Sequence, residues 1–415
     1  MEYSIKLSKN DISALKMLFL FLVSIYAQDT YSIKLYFLIV IVFTLKNVIS
    51  CVIIEQFENH IWLLLFLIFA FTMTTFSFVV GKVSWIEEIK SICYVFIAVD
   101  AIYLCMRKPK VFEKGMKMIL GVIVISSLYG IIEALVSYNI FEKYYVADYI
   151  RGYYGTAQYR IASIFMHPIV CGQIFLIGFW FAYFFCAKTK RIVYLIILCL
   201  GIYYTKSRSI WGGLVFSIIF FYFIKLLILF SKHNISKRKL IYIPILMISV
   251  YVLYRIGIFD TFINNISERL LAARGSTSQL ARQSMSTYTI NYIIHDSSVL
   301  QAIFGNGMNS SKLWILNSGA FVKAYDAIDN SYLTILYEFG IVGFLMLINL
   351  FLKRIIMSIS NIYNKNKICN ASLMAIISCI IPFYFYDFYG WLPVYVIFIY
   401  CIVASNISCY SKEKS

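Results

Sequence analysis

The dominant pattern along the chain is a series of apolar runs close to 20 residues long, separated by short polar segments. About 20 apolar residues in a helix cross the hydrocarbon layer of a bilayer, and a helix satisfies its own backbone hydrogen bonds there. We therefore predict an all-α polytopic membrane protein with about twelve transmembrane helices. The predicted spans are roughly 12–27, 33–54, 61–80, 89–106, 117–137, 163–186, 192–205, 209–230, 240–258, 330–352, 370–386 and 391–409.

Two predicted outer connections, residues 138–162 and 259–329, are much longer than the others. A long loop without secondary structure is unusual in a compact protein, so we predict helices near 261–273 and from about 279 in the second connection. This divides the chain into four regions. They are the N-terminal transmembrane helices (1–137), the central helices with a Tyr/Arg-rich outer loop (138–258), a helical outer-loop subdomain (259–329) and the C-terminal helices (330–415).

Composition agrees with this prediction, and the distribution of charge gives an orientation. Hydrophobic residues make up 61% of the chain and charged residues 14%, against about a quarter charged in soluble proteins. The formal charge of +17 could indicate a nucleic-acid ligand, but the basic residues concentrate in the short loops predicted to be cytoplasmic, as the positive-inside rule requires. We predict an uncleaved first helix after Lys6 and Lys9, cytoplasmic N- and C-termini, an inner-membrane location and no nucleic-acid partner.

Arginine is distributed differently from lysine, because it collects in the predicted outer segments. The guanidinium group is planar and binds phosphate or carboxylate through two parallel hydrogen bonds. An arginine-rich outer face therefore indicates an anionic partner there, with headgroup contacts and loop salt bridges as the alternative. The outer arginines are Arg151, Arg160, Arg208, Arg255, Arg269, Arg274 and Arg282.

Aromatic residues crowd two of the predicted outer connections. Residues 138–162 hold seven tyrosines, which favour the membrane interface and also offer flat faces and hydroxyls to sugars. The last connection, PFYFYDFYGWLP, contains Asp387 and is interpreted as an interfacial aromatic belt. The cysteines lie in or beside predicted spans, and no Cys/His cluster has metal-ligand spacing. We therefore predict no disulfide, no metal and no other cofactor.

The turn KSRS, residues 206–209, is the first candidate binding site. The apolar run before it, residues 192–205, is shorter than the hydrocarbon thickness. A basic turn drawn below the membrane surface needs an anionic partner, and a helix beginning near Ser209 would point its first N–H groups at the same anion. Arg208 is therefore a phosphate-ligand candidate, unless it extends to the headgroups, and the two glycines that follow it allow close packing.

The stretch DNSYLTILYEFGIVGFLMLI, residues 329–348, begins a span with more polar residues than crossing a membrane requires. Asp329 or Asn330 can cap the helix, which leaves the other residue and Glu338 to explain. A regular helix places Asp329 on the same face as Gly340 and Gly343, with Glu338 on the opposite face. We predict that Asp329 reaches a substrate hydroxyl and that Glu338 pairs with a basic or polar group in the bundle.

Two further segments carry candidate residues near predicted span ends. FGNGMNSS, residues 304–311, follows Arg282 and has two glycines that permit a tight turn with exposed backbone N–H groups. RIASIFMHPIVCG, residues 160–172, places Arg160 and His167 at the entry of the sixth span. His167 precedes a proline at a helix start, so we interpret it as a cap or interface residue, with catalysis as the alternative.

Four segments, taken in order, resemble the O-antigen ligase/polymerase superfamily of bacterial envelopes. They are the segment from Arg160 to Pro168, SRSIWGG, FGNGM and DNSYLTILYEFGIVGF. The resemblance covers about residues 150–350. It implies an enzyme that acts on the outer leaflet of the cytoplasmic membrane and joins glycans carried on undecaprenyl diphosphate.

The chain departs from the family pattern at two places. Asp329-Asn330 stands where the ligase branch usually has His-Asn, which favours the polymerase branch. The paired Arg-x10-Gly motifs of some O-antigen polymerases are absent, because the required positions are Ala162 and Cys171. Specificity for particular sugars or chain lengths therefore does not transfer.

The resemblance also implies roles for individual residues. Arginine beside a diphosphate leaving group would stabilise its charge without a metal, and we assign this role to Arg208, Arg282 and Arg160. The acceptor hydroxyl needs a proton acceptor, which we assign to Asp329, and direct displacement predicts an inverted sugar linkage. Supporting or substrate-binding contacts are assigned to Arg151, Arg274, His167, Asn330 and Glu338.

Other function classes fit parts of the same pattern. A glycan ligase would use the same chemistry on a different acceptor. A flippase for lipid-linked oligosaccharides would show two similar halves, and no such symmetry is visible. A scaffold without catalysis would leave the outer arginines unexplained. The favoured prediction is a repeat-unit polymerase for O-antigen, capsule or exopolysaccharide, working in the bilayer beside a flippase and a chain-length regulator.

Overall fold

The structure is a computed structural model that describes residues 9–27, 30–52, 60–144, 155–156, 159–231, 277–317, 327–361, 366–388 and 390–405. Within these ranges every regular element is a helix, as predicted. The α-helices are α1 (Lys9–Tyr26), α2 (Thr30–Val52), α3 (Ile61–Val79), α4 (Trp85–Arg107), α5 (Pro109–Val136), α6 (Pro168–Phe185), α7 (Lys188–Tyr204), α8 (Arg208–Ser231), α9 (Thr277–Asn291), α10 (Val299–Phe304), α11 (Ser310–Asn317), α12 (Ser331–Asn361), α13 (Lys367–Phe385) and α14 (Leu392–Ala404).

Eight of the described helices are long and apolar enough to cross a membrane, judged by length and composition. They are α2, α3, α4, α5, α6, α8, α12 and α13. The helices α1, α7 and α14 coincide with three more predicted spans but fall short of that criterion. The predicted span 240–258 lies outside the described residues. The chain is therefore a multi-pass membrane protein, and its twelve-span topology stays a prediction.

The helix predicted from about residue 279 is α9, which begins at Thr277, whereas the one predicted near 261–273 lies outside the described residues. Stacked rings connect α9 and α11 to α12. Trp314 lies 5.1 Å from the Tyr288 ring and 4.7 Å from the Tyr337 ring, between centroids. The short helices before α12 therefore pack against it, and their predicted position outside the membrane stays a prediction.

Small residues let the central helices touch. The most buried spans are α6 and α13, and α13 packs against both α6 and α8. A Cβ atom at Gly213 would lie 2.7 Å from the Ser378 carbonyl oxygen and 2.9 Å from the Pro382 ring. At Gly212 the nearest atom would be at an ordinary 3.5 Å. The close approach expected after Arg208 is therefore confirmed at Gly213, and it sets the start of α8 beside the last turns of α13.

Two helix predictions are corrected by backbone conformation. The sixth span begins at Pro168 rather than near 163, because Ser163 and Met166 have left-handed φ angles of 53° and 62°. The helix α12 is not regular, because Gly340 has φ 62° and ψ −169°. Asp329 stands outside α12, also with a left-handed φ of 53°. The prediction that Asp329 shares one helical face with Gly340 and Gly343 is therefore wrong.

Candidate functional site

The first candidate residues lie at the N-terminus of α12. Asn330 caps this helix, because its Oδ1 atom accepts hydrogen bonds from Tyr332 N at 3.0 Å and Leu333 N at 3.2 Å. Asp329, which precedes the cap, forms an ion pair with α9: Arg282 Nε donates to Asp329 Oδ2 at 3.0 Å. Of the two polar residues that open this segment, Asn330 is therefore the helix cap, and Asp329 is the partner of Arg282 in the ion pair.

The segment before α6 positions Arg160 next to the turn between α7 and α8. Arg160 Nε donates to the Thr205 carbonyl oxygen at 3.0 Å, and Ile161 N donates to Tyr204 O at 3.3 Å. Both contacts join the entry of α6 to the residues that lead into Arg208. The structure therefore brings two of the three arginines predicted to bind diphosphate to neighbouring segments.

Glu133, which the sequence interpretation missed, holds the segment that carries Arg160. Its carboxylate is buried near the end of α5 and accepts hydrogen bonds from the Tyr159 hydroxyl at 2.7 Å, Ala162 N at 3.0 Å and Ser163 N at 2.8 Å. With three hydrogen-bond donors bound to it, this buried carboxylate fixes the backbone conformation of residues 159–163. Its only signal in the sequence is an acid inside an otherwise apolar run.

Glu133→Ala is expected to destabilise the protein by releasing residues 159–163. The change leaves three buried donors without their acceptor, at roughly 1–3 kcal/mol each. Thermal denaturation in detergent should show a fall of at least about 5 °C, whereas Glu133→Gln, which retains one acceptor oxygen, should fall less. Equal melting temperatures for the alanine variant and the wild type would exclude this role for Glu133.

His167 caps α6 and lies near two of the candidate arginines. Its Nδ1 atom accepts a hydrogen bond from Ile169 N at 3.2 Å, and its ring stacks on Tyr386 at 4.8 Å. Burial, followed by the charges of Arg160 and Arg282, lowers the pKa of His167 well below its usual range. The imidazole is therefore neutral at pH 7 with its proton on Nε2. The cap interpretation is confirmed.

Asp387 lies near Asp329, so the aromatic belt alone does not account for it. Ser331 fixes the backbone on both sides of Asp387: its hydroxyl donates to Tyr386 O at 2.8 Å and accepts from Phe388 N at 3.0 Å. Burial, followed by the charge of Asp329, raises the pKa of Asp387 to about 7, with the Ser331 hydroxyl acting in the opposite direction. The feature of the sequence that could have identified Asp387 is that it is the single acid in an aromatic segment.

Glu338 binds the turn that contains FGNGM. It is 0% exposed, and its carboxylate accepts hydrogen bonds from Asn309 N at 2.7 Å, Ser311 N at 3.3 Å and the Ser311 hydroxyl. Its own backbone oxygen accepts from Gly307 N at 2.8 Å. The prediction that Glu338 has a polar partner in the bundle is therefore confirmed, and that partner is residues 307–311.

The same turn reaches α3 on its other side. Met308 N donates to the Thr74 hydroxyl at 3.1 Å, and a Cβ atom at Gly307 would lie 2.7 Å from Ser77. The prediction of exposed backbone N–H groups in this turn is therefore wrong for residues 307–309. These groups bind protein atoms, because the turn lies between α3 and α12 rather than facing an open site.

Arg208 begins α8 at the same end of the bundle. The preceding residues hold Arg160 through Thr205, and Gly213 packs on the part of α13 that leads to Asp387. Six candidate residues therefore lie on segments that meet at this end of the bundle, and we call this set the Asp329 site. They are Arg160, Arg208, Arg282, His167, Asp329 and Asp387.

Several predicted contacts lie outside the described residues. These include Arg151, Arg274 and most of the tyrosines of the 138–162 connection, so a tyrosine-lined sugar groove stays a prediction. Tyr159 is among the described residues, and its hydroxyl donates a hydrogen bond to Glu133. Within the described ranges, no group of three or more His, Cys, Asp or Glu residues is arranged to hold a metal ion.

Comparison with known proteins finds one matching family over part of the chain. Residues 193–348 match the family described as O-antigen ligase. No curated protein matches the chain. The matched range includes Arg208, Arg282, Asp329 and Glu338. Arg160 lies before this range and Asp387 lies after it. The resemblance of the chain to the O-antigen ligase/polymerase superfamily is therefore confirmed over residues 193–348.

Proposed function

We propose that the chain is a polysaccharide polymerase that joins undecaprenyl-diphosphate-linked oligosaccharide repeat units on the outer face of the cytoplasmic membrane. The observation that carries the proposal is threefold: Arg160 and Arg282 both lie near His167, Arg282 pairs with Asp329, and Arg160 binds the turn that leads into α8. Arginine suits a diphosphate and carboxylate suits a sugar hydroxyl. The Asp329 site offers both in a family that acts on lipid-linked sugars.

The donor side of the proposed reaction uses the arginines. The bond between the anomeric carbon and the diphosphate oxygen breaks, and its electron pair leaves with the lipid diphosphate. Arg208 and Arg160 hold that group, and Arg282 contributes the N–H donors that remain beyond Nε. Cations fixed in place before the reaction stabilise the developing charge at little reorganisation cost. The proposal therefore assigns no step to a metal.

The acceptor side uses the acids. Asp329 accepts a hydrogen bond from the attacking hydroxyl and orients it toward the anomeric carbon. Attack opposite to the leaving diphosphate inverts the sugar linkage. The growing chain passes from its carrier to the sugar of an incoming lipid-linked repeat unit, so a flippase that supplies units and a chain-length regulator are the partners that this reaction needs.

A glycan ligase is the second candidate, because the matched family is described as O-antigen ligase. Asp329 in the position of the ligase histidine is the observation that favours polymerisation. Deleting the gene separates the two functions. A polymerase deletion leaves single lipid-linked repeat units and no polymer ladder, whereas a ligase deletion leaves long lipid-linked polymer and no surface glycan.

Arg208→Lys is expected to reduce polymer formation about 10- to 100-fold, since lysine keeps the charge but cannot make two parallel hydrogen bonds to a phosphate. The ladder of surface polysaccharide measures this, with membrane-inserted protein quantified in parallel. Arg191→Lys is the matched control, because Arg191 lies at the opposite end of the α7–α8 hairpin and contacts the Cys186 carbonyl. Full polymer formation in Arg208→Lys would remove Arg208 as a two-bond diphosphate ligand.

A further inference from the structure

Asp387 supplies a carboxylate oxygen that no described residue binds. Its Oδ1 atom is buried and has no hydrogen-bond partner within the described part of the chain. Asp329, by contrast, is engaged by Arg282 through Oδ2. Leaving a buried acceptor unsatisfied lowers folding stability, and natural proteins keep few such groups, some of them at catalytic positions. The unsatisfied oxygen therefore indicates a role that the folded chain alone does not fulfil.

The backbone around Asp387 is fixed rather than loose. Ser331 binds the residues on both sides of it, and the Tyr386 ring is stacked on His167. Gly390 lies beside this carboxylate: a Cβ atom there would be 3.6 Å from Asn309 Oδ1 and 3.9 Å from Asp387 Oδ2. These contacts hold the acid at a set position beside the N-terminus of α12.

A general base must be free to accept a proton and should have a pKa near the working pH. The Arg282 guanidinium occupies Asp329 Oδ2 at 3.0 Å, so that oxygen is already engaged. His167 uses Nδ1 in the cap and stays neutral. Asp387 meets both conditions, since its pKa is raised to about 7 and Oδ1 is unbound.

We infer that Asp387 is the general base of the proposed transfer and that the Asp329–Arg282 pair orients the hydroxyl beside it. This inference rests on the proposed function. The acceptor oxygen bonds to the anomeric carbon as the bond from that carbon to the diphosphate oxygen breaks, and the electron pair leaves with the diphosphate. The hydroxyl proton moves to the Asp387 carboxylate and is then released to water.

The test uses the full chain in membrane vesicles, with the lipid-linked oligosaccharide extracted from a strain that lacks the gene as substrate. Asp387→Asn keeps the shape of the side chain and removes the base, so the elongation rate should fall about 10²- to 10⁴-fold at an unchanged amount of inserted protein. Glu142→Gln, an acid after α5 that lies outside the site, should keep the wild-type rate. A wild-type rate in Asp387→Asn overturns the inference.

The pH profile gives a second measurement if Asp387→Asn fails to insert. The charged and titratable groups near Asp387 are Asp329 just before α12, Glu338 on α12, Arg282 on α9, and Arg160 with neutral His167 at the entry of α6. Because the base must be deprotonated, the wild-type rate should rise with pH through about 7. Asp387→Glu should shift that midpoint, and a midpoint equal in both proteins overturns the inference.

These outcomes separate the inference from the function it rests on. If the wild-type chain forms no polymer from the extracted oligosaccharide, the proposed function fails. If the wild type forms polymer and Asp387→Asn forms it equally fast, the function stands and Asp387 is not the base.

Discussion

Glu338→Ala is expected to prevent the chain from accumulating as a folded membrane protein. The change removes the acceptor of three hydrogen bonds from Asn309 and Ser311 and leaves those donors buried. Each buried donor without a partner costs roughly 1–3 kcal/mol, against a total stability of about 5–15 kcal/mol for typical proteins. The loss is therefore comparable with the total stability of a typical protein.

The amount of monodisperse protein after detergent extraction measures this effect, together with its melting temperature. Glu338→Gln retains an acceptor oxygen and should give an intermediate result. Glu113→Ala is the matched control, because Glu113 forms a partly exposed ion pair with Lys117, and such pairs contribute about 1 kcal/mol or less. If Glu338→Ala melts within about 2 °C of this control, the carboxylate does not hold the turn.

Gly340→Ala is expected to have the second-largest effect, because it acts on the backbone at the kink of α12. The residue has φ 62°, a conformation that costs an L-residue about 1–2 kcal/mol. A Cβ atom there would also collide with the Ile303 carbonyl oxygen and lie 2.6 Å from Gly305 N. Backbone atoms cannot turn aside as a side chain can, so α10 must move, and with it the turn bound to Glu338.

Protein yield, melting temperature and polymer formation should all fall in Gly340→Ala. The matched control is Gly121→Ala in α5, where a Cβ atom would have no neighbour within 4 Å and alanine favours the helix. If the two alanine variants behave alike, the kink does not require glycine.

Local sequence features were sufficient to predict most helices. The fourth span, predicted at 89–106, is observed at Trp85–Arg107, and the helix predicted from about 279 begins at Thr277. In both cases the apolar length or the N-terminal signal lies within the element itself. The arginines of the Asp329 site could also be selected as candidate anion ligands, because their residue type and their predicted side of the membrane follow from the sequence alone.

The missed features all depend on residues that are distant in sequence. Asp387 was assigned to an aromatic belt because its relation to Asp329 arises where α12 and α13 meet. The kink at Gly340 arises where residues 303–305 press on α12. The N–H groups of FGNGM were expected to face outward, because the pattern of a glycine turn does not show which acid will bind it.

The contact of Met308 with Thr74 has a consequence for how the protein is made. The helix α3 leaves the ribosome long before residue 308 is synthesised, so its Thr74 and Ser77 face enters the bilayer without the segment that later covers it. Insertion of the first helices therefore leaves this face of α3 without the contacts that residues 307 and 308 supply later.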